Sequence, residues 1–203
     1  MNDSIIYLVR HCKPKLPSDT PICIGITDIP LSSEGIKQAE KLKGYFLDKN
    51  ISSIYSSPLN RAKKTAEIIA DNKIKVEIRN DFSELNMGIW DGMTFDEIKQ
   101  KYPEEYIERG NNFENYIVKG GESMSMCRDR AFTQLFKVLE NSTGNIIILS
   151  HAGVNRLILS KLSGISIKES FSFRQEYGSI NTLKYDGKNL SIINVGILIE
   201  QIY

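Results

Sequence analysis

Two short apolar runs, each ending in a histidine, place the strongest constraint on the fold of this 203-residue chain. The first run, 5–9, leads into Arg10 and His11, and the second, 146–150, leads into His151. Runs rich in β-branched residues and without polar alternation are typical of parallel strands that helices bury on both faces. The sequence therefore predicts an α/β fold in which each histidine follows the carboxyl end of a strand.

The chain contains only these two histidines. Ligands bind at the carboxyl edge of open α/β sheets, so two neighbouring strands would bring both imidazoles into one crevice. For either histidine alone, a structural role at a strand end is the alternative. The arginine attached to the first histidine favours a functional site.

Composition limits the classes of function. The chain has 26 Lys and Arg against 25 Asp and Glu, a formal charge of +1, which argues against a general nucleic-acid or membrane-surface binder. Its three cysteines form no CxxC pair, which argues against a disulfide framework or a zinc knuckle and fits a reducing compartment. We recognise no signal peptide or membrane span and expect a cytoplasmic protein.

The other patterns predict a three-layer α/β sandwich, with a mostly parallel central sheet flanked by helices in a single domain over 1–203. The expected elements are a helix from Ser32 or Ser33 to about Asp48, a strand over 51–55, a helix with Ser57 as N-cap and Pro58 at N1, a strand over 74–78, a helix capped by Ser123, and a C-terminal β-hairpin of 180–185 and 190–195.

The segment 84–121 interrupts the alternation of strands and helices and contains several glycines and the only tryptophan. We expect it to form an insertion or lid beside the site. Thr94 and Glu97 form a capping box for a short helix that Pro103 interrupts. The aromatic residues of the segment can form a local core, which is their more common use, or a platform for a ligand. They are Tyr102, Tyr106, Phe113 and Tyr116.

Arg61 falls in the first turn of the predicted second helix, near the carboxyl edge of the sheet. Helix N-termini favour anions, so an arginine there indicates an anion site better than it serves helix stability; a solvated surface arginine is the alternative. If Arg10, His11 and His151 converge with it, the positive groups favour a dianion. Phosphoryl is the natural candidate, because planar guanidiniums match its oxygens.

A neutral imidazole in such a cavity can attack phosphorus and form a phosphohistidine that water then cleaves. The remaining positive groups would stabilise charge on the equatorial oxygens. Glu84, where the predicted lid begins, is the best-placed carboxylate to protonate the leaving alkoxide. The alternative, a metal site, would need at least three converging ligands without arginines beside them.

Five ordered segments, which together span nearly the whole chain, resemble the motifs of the histidine phosphatase superfamily, with its phosphoglycerate-mutase-like fold. They are Leu8-Val9-Arg10-His11, Gly25-x-Thr27-Asp28-x-Pro30-Leu31-Ser32-x-x-Gly35, Ser56-Ser57-Pro58-Leu59-x-Arg61-Ala62-x-x-Thr65-Ala66, Glu84 with Gly88-x-Trp90-x-Gly92, and Ser150-His151-Ala152-Gly153-Val154-x-Arg156.

The resemblance implies a role for each of the main candidate residues. His11 would be the phosphorylated nucleophile, and Glu84 would be the acid. Arg10, Arg61 and His151 would bind the phosphoryl group. The resemblance also implies that the enzyme needs no metal and no cofactor.

The chain departs from this pattern directly after the nucleophile. The first motif is normally Arg-His-Gly, whereas this chain has Cys12. A side chain there can cost strain where φ is positive, but cysteine is small and we expect activity to survive. Cys12 is either a passive small residue or an oxidisable regulatory thiol whose thiolate Lys13 and the arginines favour. Lys13, close to His11, and Thr27, in the second motif, are further candidate phosphate ligands.

The predicted function is a phosphomonoesterase acting on a small phosphorylated metabolite. The short length, the modest insertion and residues 23–28 look most like α-ribazole-5′-phosphate phosphatases of cobalamin assembly, whose nucleoside-like substrate suits an aromatic lid. Two alternatives stay open. One is a phosphoglycerate mutase, which usually has a longer insertion than 84–121; the other is a phospho-ligand-binding protein that has lost catalysis, with Cys12 as the sign of decay. We expect neither nucleic acid nor membrane as a partner, and a homodimer is compatible with the sequence.

Overall fold

A central six-stranded sheet organises residues 3–17 and 21–201, which the computed structural model describes. Its strands are β1 (Ser4–Arg10), β2 (Ile51–Ser56), β3 (Val76–Ile78), β4 (Asn145–Ser150), β5 (Ile180–Tyr185) and β6 (Leu190–Ile197). Their order is β3-β2-β4-β1-β5-β6. The first four strands are parallel, whereas β5 pairs antiparallel with both β1 and β6.

Helices cover both faces of this sheet. The α-helices are α1 (Ser33–Phe46), α2 (Asn60–Ala70), α3 (Phe95–Lys101), α4 (Pro103–Asn111), α5 (Met124–Glu140) and α6 (Ala152–Ser163). Short 3-10 turns cover Asn80–Phe82, Gly88–Trp90, Glu169–Ser172 and Ile199–Gln201. Within the described ranges, none of the helices has the length and apolar character needed to cross a membrane.

Alternate residues of β1 enter two separate cores. Ile6 and Leu8 join a cluster that includes residues of α5 and α6, whereas Tyr7 and Val9 join a cluster that includes residues of α1 and α2. Because the strand is buried on both faces, its apolar run needs no polar alternation. The predicted three-layer sandwich, with a mostly parallel sheet and a C-terminal hairpin, is confirmed.

Most predicted element boundaries are confirmed within a few residues. Ser32 caps α1 by accepting a hydrogen bond from the Gly35 amide at 3.0 Å, and Ser123 caps α5. The capping box at Thr94 is present, and α4 starts at Pro103 immediately beyond α3. Two predicted boundaries differ from the structure. Helix α1 ends at Phe46, before the predicted end at about Asp48, and strand β3 begins at Val76, after the predicted start at residue 74.

The prediction that Ser57 caps the second helix, with Pro58 at N1, is wrong. The helix α2 begins at Asn60. Its first amide is capped from elsewhere in the chain, because the Asn60 N–H donates to the Asp28 carboxylate at 2.7 Å. Arg61 still lies in the first turn, as predicted.

The aromatic residues of 84–121 pack on one another and on the core. The Trp90 ring stacks on Tyr116 with centroids 6.3 Å apart, and Tyr106 lies 6.4 Å from Trp90. Tyr102 and several other rings of the segment pack against the larger core cluster. These contacts favour a local core over a platform for a ligand, and closure of the segment as a lid stays a prediction.

Candidate active site

The pairing of β1 with β4 brings the two histidines together. Arg10 and Ser150 are register partners, so His11 and His151 leave the sheet side by side at its carboxyl edge. Their ring centroids are 5.0 Å apart. Both side chains are enclosed, with only 4% and 0% of their surface exposed.

The hydrogen bonds of His11 define its tautomer. Its Nδ1 lies 2.7 Å from the Cys12 carbonyl oxygen, which can only accept, so Nδ1 carries the proton. Nε2 then has a free lone pair, which accepts from Nε of Arg61 at 3.2 Å. Burial, followed by the charges of Arg61 and Arg10, lowers the pKa of His11 well below its usual value. The imidazole is therefore neutral at pH 7.

Arg61 is held by two backbone carbonyls. It is 2% exposed, and its terminal nitrogens donate to the Thr27 and Gly25 carbonyl oxygens, each at 2.7 Å. A side chain at position 25 would not fit, because a Cβ there would lie 2.3 Å from the Leu85 carbonyl oxygen. The guanidinium is thus fixed in position, with Nε directed at His11.

The loop that holds Arg61 is itself anchored by Asp91. The Asp91 carboxylate accepts hydrogen bonds from the backbone amides of Gly25, Ile26 and Thr27, at 2.8–2.9 Å. This contact joins the loop to the first part of 84–121. A carboxylate that accepts several amide hydrogen bonds is a rigid anchor, which explains why the two carbonyls are presented together.

Arg10 lies against the C-terminal part of the chain. One terminal nitrogen donates to the Gln175 carbonyl oxygen at 2.5 Å, and the guanidinium stacks 3.8 Å from the centroid of the Tyr177 ring. The ring of Tyr177 is also 5.6 Å from that of His11. Nε of Arg10 is buried and has no hydrogen-bond partner among the described residues.

His151 is bonded through only one of its ring nitrogens. Its Nε2 lies 2.8 Å from the hydroxyl of Ser57. Nδ1 is buried and finds no partner within 3–17 or 21–201. Burial, with the neighbouring His11 and the arginines, lowers the pKa of His151 well below its usual value.

Glu84 is bound at the N-terminus of α6. Its carboxylate accepts hydrogen bonds from the Gly153 and Val154 amides at 3.1 and 3.3 Å, and from the Leu85 amide at 2.9 Å. Free N–H groups at a helix start favour a negative charge. The carboxylate therefore contacts the backbone two residues beyond His151, beside the paired imidazoles.

Close approach of Glu84 requires glycine at position 153, since a Cβ there would lie 2.5 Å from Oε1. We expect Gly153→Ala to displace the carboxylate and to lower kcat for alkyl phosphates by about 100-fold. Nitrophenyl phosphate, whose leaving group hardly needs a proton, should be slowed much less. Steady-state phosphate release from both substrates, compared with Glu84→Gln, measures this effect.

Gly110→Ala is a matched control, because a Cβ there meets no atom within 4 Å. It should leave both rates unchanged. Equal slowing of the two substrates by Gly153→Ala would show that the added methyl group disturbs the site without acting through a proton donor.

The side chains of Lys13 and Thr27 are more exposed than those of His11, Arg61 and His151. Nζ of Lys13 pairs with Glu34 at 2.6 Å, with 41% of the lysine side chain exposed. Thr27 contributes its carbonyl to Arg61, while the residue itself is exposed. Direct contact of either side chain with phosphate stays a prediction.

Cys12 is fully buried, and its environment disfavours the thiolate. Burial raises the pKa of the thiol to about 12. Its backbone amide donates to the Thr65 hydroxyl at 3.2 Å. Among the described residues, the non-glycine positions with positive φ are Asn50, Asp71 and Asn72. The backbone of Cys12 is therefore outside the left-handed region, in which a side chain would cause strain. These facts favour the passive role over the redox role.

Removal of the Cys12 side chain should therefore affect stability more than activity. We expect Cys12→Gly to lower the free energy of unfolding by about 2 kcal/mol, through loss of buried atoms and added backbone freedom. Turnover should stay within about tenfold. Urea unfolding and steady-state rates measure both, and peroxide should leave the wild-type rate unchanged. Peroxide inactivation of the wild type but not of the variant would identify Cys12 as a sensor.

The two buried histidines should make the protein sensitive to mild acid. Because the pKa of each lies well below 6.5 in the folded protein, the unfolded chain takes up protons first as pH falls. Stability should be constant above about pH 6.5 and should fall below it by up to about 1.4 kcal/mol per pH unit for each histidine. Urea unfolding at pH 7.5 and 5.5 measures the change. His151→Phe should lose about half of this dependence, and an unchanged dependence would contradict the assignment.

Three residues of the site were missed from the sequence. Ser57 lies within a quoted motif but was interpreted as a helix cap. Gln175 and Tyr177 lie in a stretch for which no function was predicted. The buried amides of Gln175, Asn155 and Asn181 bond to one another at 2.7–3.2 Å, and this network supports the carbonyl that holds Arg10. Only contacts between distant parts of the chain reveal it.

Comparison with known proteins agrees with this geometry. The sequence profile of the histidine phosphatase superfamily (branch 1) matches residues 6–197. Phosphoserine phosphatase 1 of Hydrogenobacter thermophilus is 29% identical over 196 residues, which are 95% of this chain and 92% of the relative. Adenosylcobalamin/alpha-ribazole phosphatase of Escherichia coli is 25% identical over 193 residues, which are 93% and 95% of the two chains. The alpha-ribazole phosphatase structure from Shigella flexneri has a TM-score of 0.86 at 25% identity, covering 95% and 96%. A match that spans nearly the whole sequence makes this chain a member of the histidine phosphatase superfamily, branch 1.

Proposed function

We propose that this protein is a phosphomonoesterase in which His11 carries the phosphoryl group as a covalent intermediate. One observation supports this most: Arg10 Nε, which is a donor, and His151 Nδ1, which is one in the tautomer with its proton on that atom, are buried without a partner in the described part of the chain. Buried donors are nearly always satisfied, because an unpaired one costs about 1–3 kcal/mol. Both neighbour His11, and a phosphoryl group held against that imidazole would offer oxygens to both.

The tautomer of His11 suits a nucleophile. With its proton held by the Cys12 carbonyl, Nε2 presents a lone pair toward Arg61. As the substrate enters, the Nε–H of Arg61 would transfer its hydrogen bond from Nε2 to a phosphoryl oxygen, while its two terminal nitrogens keep their carbonyl partners. Nε2 then forms a bond to phosphorus as the ester P–O bond breaks.

The leaving alkoxide needs a proton. Glu84, whose carboxylate accepts three backbone N–H hydrogen bonds in the free protein, would first take up a proton from solvent or from the phosphate monoester and would then donate it to the alkoxide. The carboxylate would then take a proton from the water that attacks the phosphohistidine, which releases inorganic phosphate and restores both groups. Because both imidazoles are kept neutral, Arg10 and Arg61 supply the positive charge that stabilises the negative phosphoryl oxygens. A guanidinium stays charged at any relevant pH.

The proposed substrate is a small phosphorylated metabolite, and two classes have support. The relative that is 25% identical and named for alpha-ribazole supports α-ribazole 5′-phosphate, while the one that is 29% identical supports phosphoserine. The aromatic residues of 84–121 add nothing in favour of a nucleoside-like substrate, because Trp90, Tyr106 and Tyr116 contact one another. Substrate choice lies in loops that vary freely on one fold.

A screen of phosphorylated metabolites for phosphate release tests the proposal. It should contain α-ribazole 5′-phosphate, phosphoserine and 3-phosphoglycerate, together with 4-nitrophenyl phosphate as a generic substrate. Rapid-quench mass spectrometry should find one added phosphoryl group on His11 during turnover. Absence of a phosphoenzyme, with turnover unchanged in His11→Ala, would refute the proposal.

The same screen addresses the two alternatives. A phosphoglycerate mutase would convert 3-phosphoglycerate into an isomer, whereas a phosphatase releases inorganic phosphate as the only phosphorus-containing product. A protein that only binds phospho-ligands would bind phosphate but turn over no ester. The neutral nucleophile and the anchored carboxylate of Glu84 support catalysis over simple binding.

A further inference from the structure

Ser57 is a buried hydroxyl whose hydrogen bonds can be assigned. It is 0% exposed, and its Oγ has two contacts: the Leu59 amide at 3.3 Å and Nε2 of His151 at 2.8 Å. The amide can only donate, so it uses a lone pair of the oxygen. Of these two partners, only Nε2 can accept the hydroxyl proton of Ser57, and it can do so only when it carries no proton.

We infer that Ser57 is a positioning residue, which fixes His151 as the neutral tautomer with its proton on Nδ1 so that this N–H can donate to a phosphoryl oxygen. The second half of this inference rests on the proposed function. In the opposite tautomer, Nε2 would donate to Ser57, the buried hydroxyl proton would lose its acceptor, and Nδ1 would face the anion with a lone pair. That arrangement would repel a phosphoryl oxygen where the proposed one attracts it.

The two histidines then have the same tautomer but different roles, one as a nucleophile and the other as a hydrogen-bond donor. His11 has its proton on Nδ1, held by a backbone carbonyl, and offers the Nε2 lone pair to phosphorus. His151 has its Nε2 lone pair occupied by Ser57 and offers Nδ1–H to oxygen. A nucleophile and a neutral donor can thus stand with ring centroids 5.0 Å apart without mutual charge repulsion.

Ring nitrogens with and without a proton differ widely in ¹⁵N chemical shift, and the chain has only two histidines, so NMR can test this directly. Long-range ¹H–¹⁵N correlation of protein labelled with ¹⁵N-histidine, at pH 7, should show a protonated Nδ1 and an unprotonated Nε2 for both rings. His11→Ala assigns the two spin systems. A proton on Nε2 of His151 in the wild-type protein would overturn the inference.

The variant Ser57→Ala tests the causal step. It should move His151 toward a mixture of tautomers while His11, as an internal reference, stays unchanged. Loss of one oriented hydrogen bond in the transition state should lower kcat by about 10- to 100-fold. Ser57→Thr retains the hydroxyl and should restore the wild-type tautomer and much of the rate.

Ser160→Ala is the matched control, because Ser160 is also 0% exposed but donates to the Leu157 carbonyl within α6. It should change neither the tautomers nor kcat. If Ser57→Ala leaves the tautomer and rate of wild type, or shifts the tautomer with no change in rate, the positioning role is overturned. Should Ser57→Ala fail to fold, the wild-type spectrum alone still decides the tautomer.

The inference about Ser57 and the proposed function can be refuted independently of each other. The NMR measurement needs no substrate, so a wild-type protein without turnover could still confirm or refute the tautomer. Conversely, a phosphorylated His11 together with a proton on Nε2 of His151 would uphold the phosphatase and refute the role of Ser57.

Discussion

Replacing His11 with alanine will lower phosphatase turnover by at least about 10⁴-fold, because the proposed reaction then has no nucleophile and no covalent intermediate. The site offers no substitute in the same place. The other imidazole, His151, has its Nε2 engaged by Ser57 and presents a proton from Nδ1. Release of phosphate from 4-nitrophenyl phosphate, under saturating substrate, measures the loss.

The comparison with His151→Ala separates the two roles. That variant loses a ligand of the phosphoryl group but keeps the nucleophile, so it should turn over slowly and still become phosphorylated on His11. The variant His11→Ala should show no phosphoenzyme at all. If label persists in His11→Ala and disappears in His151→Ala, the assignment of nucleophile and ligand is reversed.

Neither loss should be explained by unfolding. His11 and His151 are buried in their neutral forms, which costs stability below about pH 6.5 relative to a chain without those groups. At pH 7 the alanine variants lose only packing and hydrogen bonds. Circular dichroism and urea unfolding at that pH should therefore show folded proteins, against which the loss of turnover can be judged.

The strands and the histidines could be predicted because the signal for them is local. An apolar run buried on both faces shows in consecutive residues, and a histidine after each of two such runs will reach one edge of a parallel sheet. The pairing of Arg10 with Ser150 then places His11 beside His151. Likewise, Arg61 was expected near an anion because its position in the first turn can be seen from the helix pattern alone.

The residues that orient this set could not be predicted, because their contacts join distant parts of the chain. Ser57 resembles a helix cap until β2 and β4 pair and place it next to His151. Asp28 supplies the cap of α2 from 32 residues away. Tyr177 stacks on Arg10 only because the turn before β5 wraps around the end of β1. No periodicity or spacing in the sequence carries such information.

Cys12 shows how tertiary burial reverses an electrostatic expectation. The charges of Lys13 and Arg10, which are close in sequence, and of Arg61 would favour the thiolate that the redox alternative for Cys12 needs. In the folded protein the thiol is fully enclosed, and desolvation raises its pKa to about 12. Lys13 meanwhile pairs with Glu34 at the surface. Burial decides the outcome, and burial cannot be inferred from neighbours in sequence.

Replacement of Arg61 will show whether the site depends on charge or on geometry. We expect both Arg61→Lys and Arg61→Met to lower kcat/KM by about 10³-fold. Lysine keeps the charge, but a single ammonium cannot bond to the Gly25 and Thr27 carbonyls and also direct an N–H at His11. Wild-type activity in the lysine variant would mean that charge alone is sufficient.

The two variants should differ in the titration of His11, because Arg61 is the largest cause of its lowered pKa after burial. Arg61→Met removes the positive charge, so the pKa of His11 should rise toward its ordinary value and the acid limb of the rate profile should move to higher pH. The lysine variant should keep the lowered value. NMR titration of the two histidines measures both, with Arg128→Met, whose guanidinium pairs with Asp129 on α5, as the control.

Stability gives an independent test of the Arg61 contacts. In Arg61→Met the carbonyls of Gly25 and Thr27 lose their donors, at a cost of about 1–3 kcal/mol for each one that stays buried. Relief from burying a guanidinium offsets part of that cost. We therefore expect a net loss of about 2 kcal/mol in the free energy of unfolding. If stability is unchanged while kcat/KM falls about 10³-fold, the contacts of Asp91 and Asp28 hold the loop over 25–28 without Arg61, and Arg61 serves the phosphoryl group without supporting the fold.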